Sequence, residues 1–160
     1  MVERKMFDFS AEIKSFHSLG NVLLNTNISV YLAEMYSEHS VEYKEYLLPD
    51  ASKRFAYVLD ETLTVSTEPD GNIFSIGCNQ NYRGLYKKSL YAGQEIGEIK
   101  KLTSRQRIFN GSIVIDEDFG FIFILPPPFD EIADNIDDIP LNLKLNEIYI
   151  GDYSLWSPCK

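Results

Sequence analysis

The sequence predicts a single α+β domain, residues 1–160, built as an antiparallel sheet with short helices and organised as two approximate repeats of helix plus β-meander. Three observations carry this. Turn signals with a defined backbone mechanism, Pro69-Asp70-Gly71 and Asn110-Gly111, sit between alternating apolar segments and mark hairpins. Apolar residues recur at helical spacing in short stretches, notably from Ile28 and from Ile96. Hydrophobic residues reach 44% and aromatics 13%, enough to pack a core in a chain of this size without disulfides or metals.

Taken in chain order, Phe7, Phe9, Ala11 and Ile13 alternate as a half-buried strand would. The first repeat, 19–76, opens on an extended Leu19 to Asn27 whose Thr26 or Asn27 can cap a helix presenting Ile28, Tyr31, Leu32 and Met35 on one face. Residues 38–54 read as a second helix or a loop, with Tyr43, Tyr46 and Leu47 at helical spacing and Pro49-Asp50 closing the segment. A meander follows through 55–59, 63–67, the Pro-Asp-Gly turn and 73–76. The second repeat, 88–124, leads through Leu90 to Glu95 into a helix with Ile96, Ile99 and Leu102 on one face, weakened by Gly97. Its meander runs through 107–109, the Asn-Gly turn, 112–115, the turn 116–120 and 121–125. Phe121-Ile122-Phe123-Ile124 is apolar on both sides, as a central strand covered on both faces requires. Pro126-Pro127-Pro128 removes three backbone donors and ends that strand. A short acidic helix or loop at 129–138 follows, then the strand Ile148-Tyr149-Ile150 and a tail expected to fray from Trp156.

The first fifteen residues contain no continuous apolar run, so no signal peptide is expected, no stretch has membrane-spanning length, and the expected compartment is the cytoplasm. Cys78 and Cys159 stand in no ligand or disulfide pattern and read as a core thiol and a loose one. His17 and His39 lie in no metal-binding spacing, so no metal and no cofactor is expected, and a structural or surface role is assigned to both. No nucleophile elbow, phosphate loop or dinucleotide fingerprint is present. Carboxylates are numerous, but no spacing singles out an acid–base pair, so a carboxylate-based enzyme ranks below a binding protein.

The net charge of −9 argues against nucleic acid as a direct partner, because such binders neutralise phosphates with Lys and Arg. Residues 108–143 hold Asp116, Glu117, Asp118, Asp130, Glu131, Asp134, Asp137 and Asp138 without one Lys or Arg, whereas 83–107 is rich in both. These eight carboxylates are the expected partner-binding residues: one acidic face that steers a basic protein onto it, with the interleaved aromatics Phe129, Tyr149, Tyr153 and Trp156 as candidate anchors. A solvated surface that only keeps the chain soluble is the competing explanation.

The repeated order of extended segment, helix beginning with Ile and meander with a glycine turn resembles the helix-plus-meander repeat of beta-lactamase inhibitor proteins and BamE-like domains. Tyr82-Arg83-Gly84-Leu85-Tyr86, Leu90 to Ile99, Ile139-Pro140-Leu141 and Ile148-Tyr149-Ile150 also resemble bacterial proteins encoded beside polymorphic or contact-dependent toxins. The resemblance implies a cytoplasmic immunity protein that occludes a cationic toxin, a nuclease being the toxin class such charge fits. The alternative is a small-molecule-binding or scaffold module with a pocket between sheet and helices.

Overall fold

The computed structural model describes residues 6–157. A hairpin of β1 (Ser18–Leu19) and β2 (Val22–Leu23) leads through a 3-10 turn at Ile28–Val30 into α1 (Leu32–Glu38), followed by β3 (Val41–Leu47), β4 (Lys53–Leu59), β5 (Leu63–Thr67) and β6 (Ile73–Cys78). Next come β7 (Gln94–Glu95), α2 (Ile96–Leu102), β8 (Gln106–Phe109), β9 (Ser112–Ile115) and β10 (Phe121–Ile124). An excursion through α3 (Phe129–Ile132), a 3-10 turn at Ile136–Asp138 and β11 (Lys144–Leu145) returns to β12 (Glu147–Gly151) and a last 3-10 turn at Ser154–Trp156.

Eight strands form one antiparallel sheet in the order β3-β4-β5-β6-β12-β10-β9-β8. Each half is a helix followed by four strands, α1-β3-β4-β5-β6 and α2-β8-β9-β10-β12, and the last strand of each half meets the other at the centre of the sheet. The turns explain the register. Asn110 and Gly111, both at positive φ, close a two-residue hairpin between Phe109 and Ser112. Gly71 at φ 92 completes the Pro-Asp-Gly turn, after a register shift between Ser66 and Thr67.

Cross-strand partners share a face, so the pairing separates the two sides of the sheet. One side carries Leu59, Leu63, Val65, Ile76, Cys78, Ile148, Ile150, Phe121, Phe123 and Ile113. These residues join Leu19, Ile28, Tyr31, Met35, Ile96 and Ile99 in one buried cluster, so the helices cover this side alone. Phe121 and Phe123 are fully buried, and the β10 expectation holds apart from the half-exposed Ile124 at its end. Burial pushes the Cys78 thiol up to about 12 against one opposing backbone hydrogen bond, as a core thiol requires.

Five expectations are corrected. Residues 7–13 form no strand: Phe7 and Ile13 are buried, but the segment runs as turns with one isolated bridge from Ile13 to Tyr86. Residues 41–47 are a strand, not a second helix, because Tyr43 and Tyr46 fall on opposite faces of an exposed segment that has no apolar side of its own, and β4 supplies an unbroken partner. The first helix opens as a 3-10 turn capped by Asn27, and α-helix begins only at Leu32. Leu102 points out at 48% exposure while Ile96 and Ile99 are buried. Trp156 is packed between two aromatic rings, whereas residues 158–160, with Cys159, lie outside the described residues. Gly97 is explained by space: the helix start approaches the Leu141 carbonyl, which accepts from Gly97 N at 2.8 Å, and a Cβ there would sit 3.2 Å from that oxygen.

Candidate protein-binding surface

Among the described residues no α-helix lies over the second side of the sheet, and its sequence is of another kind. Small and polar residues line up across the central strands: Thr64, Gly77 and Tyr149 in one row, Ala56, Ser66, Ser75 and Gly151 in the next. The glycines make room for tyrosines. Tyr149 lies so close over Gly77 that a Cβ would overlap its ring, and its phenol hydrogen-bonds the Thr64 side chain. Tyr153 lies over Gly151 in the same way, 3.3 Å from where a Cβ would stand, with its phenol bonded to the Ser75 side chain. Burial pushes the Tyr153 phenol up to about 12 and also raises that of Tyr149, where Glu147 adds to it.

From Tyr153 the aromatics continue toward the β8 edge. Trp156 stacks on Tyr153 and on Phe109, each with ring centroids 5.4 Å apart, and the Arg107 guanidinium lies 4.9 Å from the centre of the Phe109 ring. Val114 and Ile122 face this side, outside the main core cluster, and are buried all the same. Leu155, beside Trp156, is 81% exposed. Toward β3 the face stays open, bordered by Tyr46 and by Arg54, which pairs with Glu68 at 3.1 Å and lies over the Phe74 ring.

The eight expected carboxylates do not form one free face. Asp116 Oδ1 accepts from Ser104 N at 2.8 Å and Arg105 N at 2.7 Å. Asp118 accepts from the Ser15 and Tyr86 hydroxyls and from Gly120 N. Glu117 pairs with Arg105 at 3.3 Å and Arg107 at 3.1 Å, and Asp137 with Lys100 at 3.0 Å. Asp130 has one oxygen buried without a hydrogen-bond partner among the described residues, beside Gly111. Glu131, Asp134 and Asp138 remain exposed, and Asp134 lines a cleft together with Arg105 and Arg107. The sheet order places β8 beside β9, so the basic residues 100–107 lie against the acidic segment that follows them in sequence.

Asp116 has a twin that the sequence displays. Val58-Leu59-Asp60-Glu61 and Val114-Ile115-Asp116-Glu117 end the second strand of each half, and all four acidic residues have positive φ. Asp60 N donates to Ser40 O and Asp60 Oδ1 accepts from Ser40 N; Asp116 N donates to Arg105 O and Asp116 Oδ1 accepts from Arg105 N. In each half the aspartate clamps the link between helix and first strand onto the turn after the second. Burial works to raise the Asp60 carboxyl but is outweighed by His39, whose Nδ1 is 2.6 Å away, and by Ser40 N, so its value falls below the usual 3.8. His39 also packs edge-on against Phe7, which gives it the structural role expected; His17 is exposed.

The Tyr82 to Tyr86 motif is structural as well. Tyr82 accepts from Gly20 N and donates to Ala11 O at 2.6 Å, Tyr86 stacks on Phe121 at 3.9 Å, and a Cβ at Gly84 would strike the Ala11 carbonyl. Tyr149, Tyr153 and Trp156, which the sequence offers as anchors, come together on this face, whereas Phe129 packs against the core; Phe109 and Arg107, on β8, were missed because only the fold brings them beside the last turn. No helix among the described residues is long and apolar enough to cross a membrane, and no group of three or more His, Cys, Asp or Glu residues among them could hold a metal ion. Comparison with protein-family models, with curated proteins and with solved structures finds no match to this chain.

Proposed function

We propose that this chain is a non-catalytic binding protein that occludes another protein, in the role of a cytoplasmic immunity protein against a cationic bacterial toxin such as a nuclease. The observation that carries the reading is the ordered aromatic stack of Tyr153, Trp156 and Phe109 with Arg107, beside Tyr149, on the side of the sheet that no α-helix covers among the described residues. Binding energy concentrates in a few Trp, Tyr and Arg anchors, and rings already held by their neighbours lose little freedom on binding. The net charge of −9 supports a basic partner, steered from a distance. Glu131, Asp134 and Asp138 are the members of the acidic segment assigned to that steering.

The test is to look for a toxin-like domain in the neighbouring open reading frame and to co-express it with this chain, followed by binding kinetics. Leu155→Asp and Trp156→Ala should abolish growth protection and speed dissociation by tenfold or more, since a central anchor is worth about 2 kcal/mol or more. Glu131→Gln, Asp134→Asn and Asp138→Asn together should slow association at low salt and leave dissociation nearly unchanged. Unaltered protection by the first pair would remove the aromatic face from the interface.

A further inference from the structure

We propose that two copies of this chain pair along β3, antiparallel about a two-fold axis at Tyr43, so that Glu42 of each copy faces the partner's Lys44. The surface is the sheet edge opposite β8, so this association goes beyond the binding role proposed above and does not depend on it.

β3 is an end strand whose seven residues pair with β4 in unbroken register, and its outer edge meets no strand among the described residues. Edge strands that stay single are usually short, bulged, capped by proline, covered, or guarded by charged side chains. Of these β3 has only the charges Glu42, Lys44 and Glu45: it contains no proline or bulge, and all of its residues after Val41 are exposed, with Tyr43 at 47%, Tyr46 at 49% and Leu47 at 72%. An open row of backbone donors and acceptors beside exposed aromatic rings is a template for another strand.

The charges select the strand that fits. Residues 42, 44 and 46 point to the open side of the sheet and 41, 43, 45 and 47 to the helix side, as their partners in β4 show. A two-fold axis perpendicular to the sheet keeps each face continuous, so only residues of the same face can stand opposite each other. Centring the axis on Glu42 or Glu45 sets two carboxylates face to face, and centring it on Lys44 does the same with two ammonium groups. Centring it on Tyr43 pairs Glu42 with the partner's Lys44 twice and sets Tyr43 against the partner's Tyr43. Glu42 and Lys44 lie on one side of the strand, 3.8 Å apart within the chain, exposed and able to exchange partners. On the helix side Tyr43 packs against Phe55 and Tyr57, with centroids 5.9 and 5.1 Å apart, so two aromatic clusters would meet at the junction. The product is one continuous sheet with two copies of the open aromatic face.

Sedimentation equilibrium of the full chain, from low micromolar to near-millimolar protein, tests this. The wild type should show a reversible monomer–dimer equilibrium. Glu42→Lys and Lys44→Glu should each weaken it by roughly tenfold or more, because symmetry turns two opposite-charge pairs into two like-charge pairs. The double variant should recover affinity to near the wild-type value, since it restores both pairs with their signs reversed. Association driven by net charge alone would instead move the two single variants in opposite directions. Unchanged melting temperatures would show that the variants fold, and Tyr43→Ser should weaken the dimer without altering charge. A wild type monomeric throughout, single variants without effect, or a double variant no better than the singles would each overturn the proposal.

Discussion

Replacing Asp116 by alanine and by asparagine separates a structural carboxylate from a binding one. Its Oδ1 accepts two backbone hydrogen bonds, from Ser104 and Arg105, in a residue held at φ 49. Loss of such a cap costs about 1 kcal/mol, within a range of roughly 0.5–2. Alanine in the left-handed region adds about 1–2 kcal/mol, which asparagine largely avoids. Asp116→Ala should therefore lose about 2–3 kcal/mol, and Asp116→Asn, which keeps an oxygen in place, under about 1 kcal/mol. In a domain of this size the alanine variant should melt about 5–10 °C lower. Urea titration followed by circular dichroism gives both numbers from midpoints at constant slope. Asp60→Ala should behave like Asp116→Ala, since Asp60 makes the corresponding contacts with Ser40. Equal midpoints for alanine and asparagine, or no loss in either, would refute the clamp and return Asp116 to the set of carboxylates available to a partner.

Phe123→Ala, in a fully buried strand centre, should cost about 3–5 kcal/mol, read from the same urea curves. On the alkaline side, Tyr153 has its folded value raised, so its contribution is complete below the ordinary tyrosine value near 10 and is lost as pH rises through about 12. Absorbance titration near 295 nm should show late-ionising tyrosines, and Tyr153→Phe should remove part of that late step. On the acid side, the Asp60 carboxyl has its folded value lowered, so the stability it gives is present above 3.8 and falls away as pH drops through its folded value. Asp60→Asn should flatten the loss of melting temperature below pH 4.

Local signals carried the parts of the fold that local physics decides. Asn110-Gly111 and Pro69-Asp70-Gly71 specify turns because few residues tolerate their backbone angles, and the two-sided apolar run at Phe121 could only be a covered strand. The segment 41–47 misled for a physical reason. With Val, Tyr and Leu among charges and both faces exposed, it has no apolar side to set a period, and β4 decides its conformation. Residues 7–13 misled in the opposite way: Phe7 and Ile13 are core residues, but loops that Tyr82 and Tyr86 anchor hold them in place, without a ladder.

The charge pattern was legible and its meaning was not, because separation along the chain is the wrong distance for electrostatics. A meander folds 100–107 back beside 116–137, and within a few ångströms opposite charges pair that the sequence sets apart as blocks. The two acidic residues that follow β9 illustrate the result. Glu117 is held by two arginines and Asp116 by two amides, and the Val-Ile-Asp-Glu echo of Val-Leu-Asp-Glu in the first half marks them as parts of a turn built twice. Internal repetition thus discriminates better than charge here: a carboxylate that recurs at the same step of both meanders, with the same backbone contacts, belongs to the scaffold. Glu131 and Asp134, in the excursion between β10 and β12, have no counterpart in the first half and stay exposed, which is why they, and not Asp116, are assigned to the proposed partner.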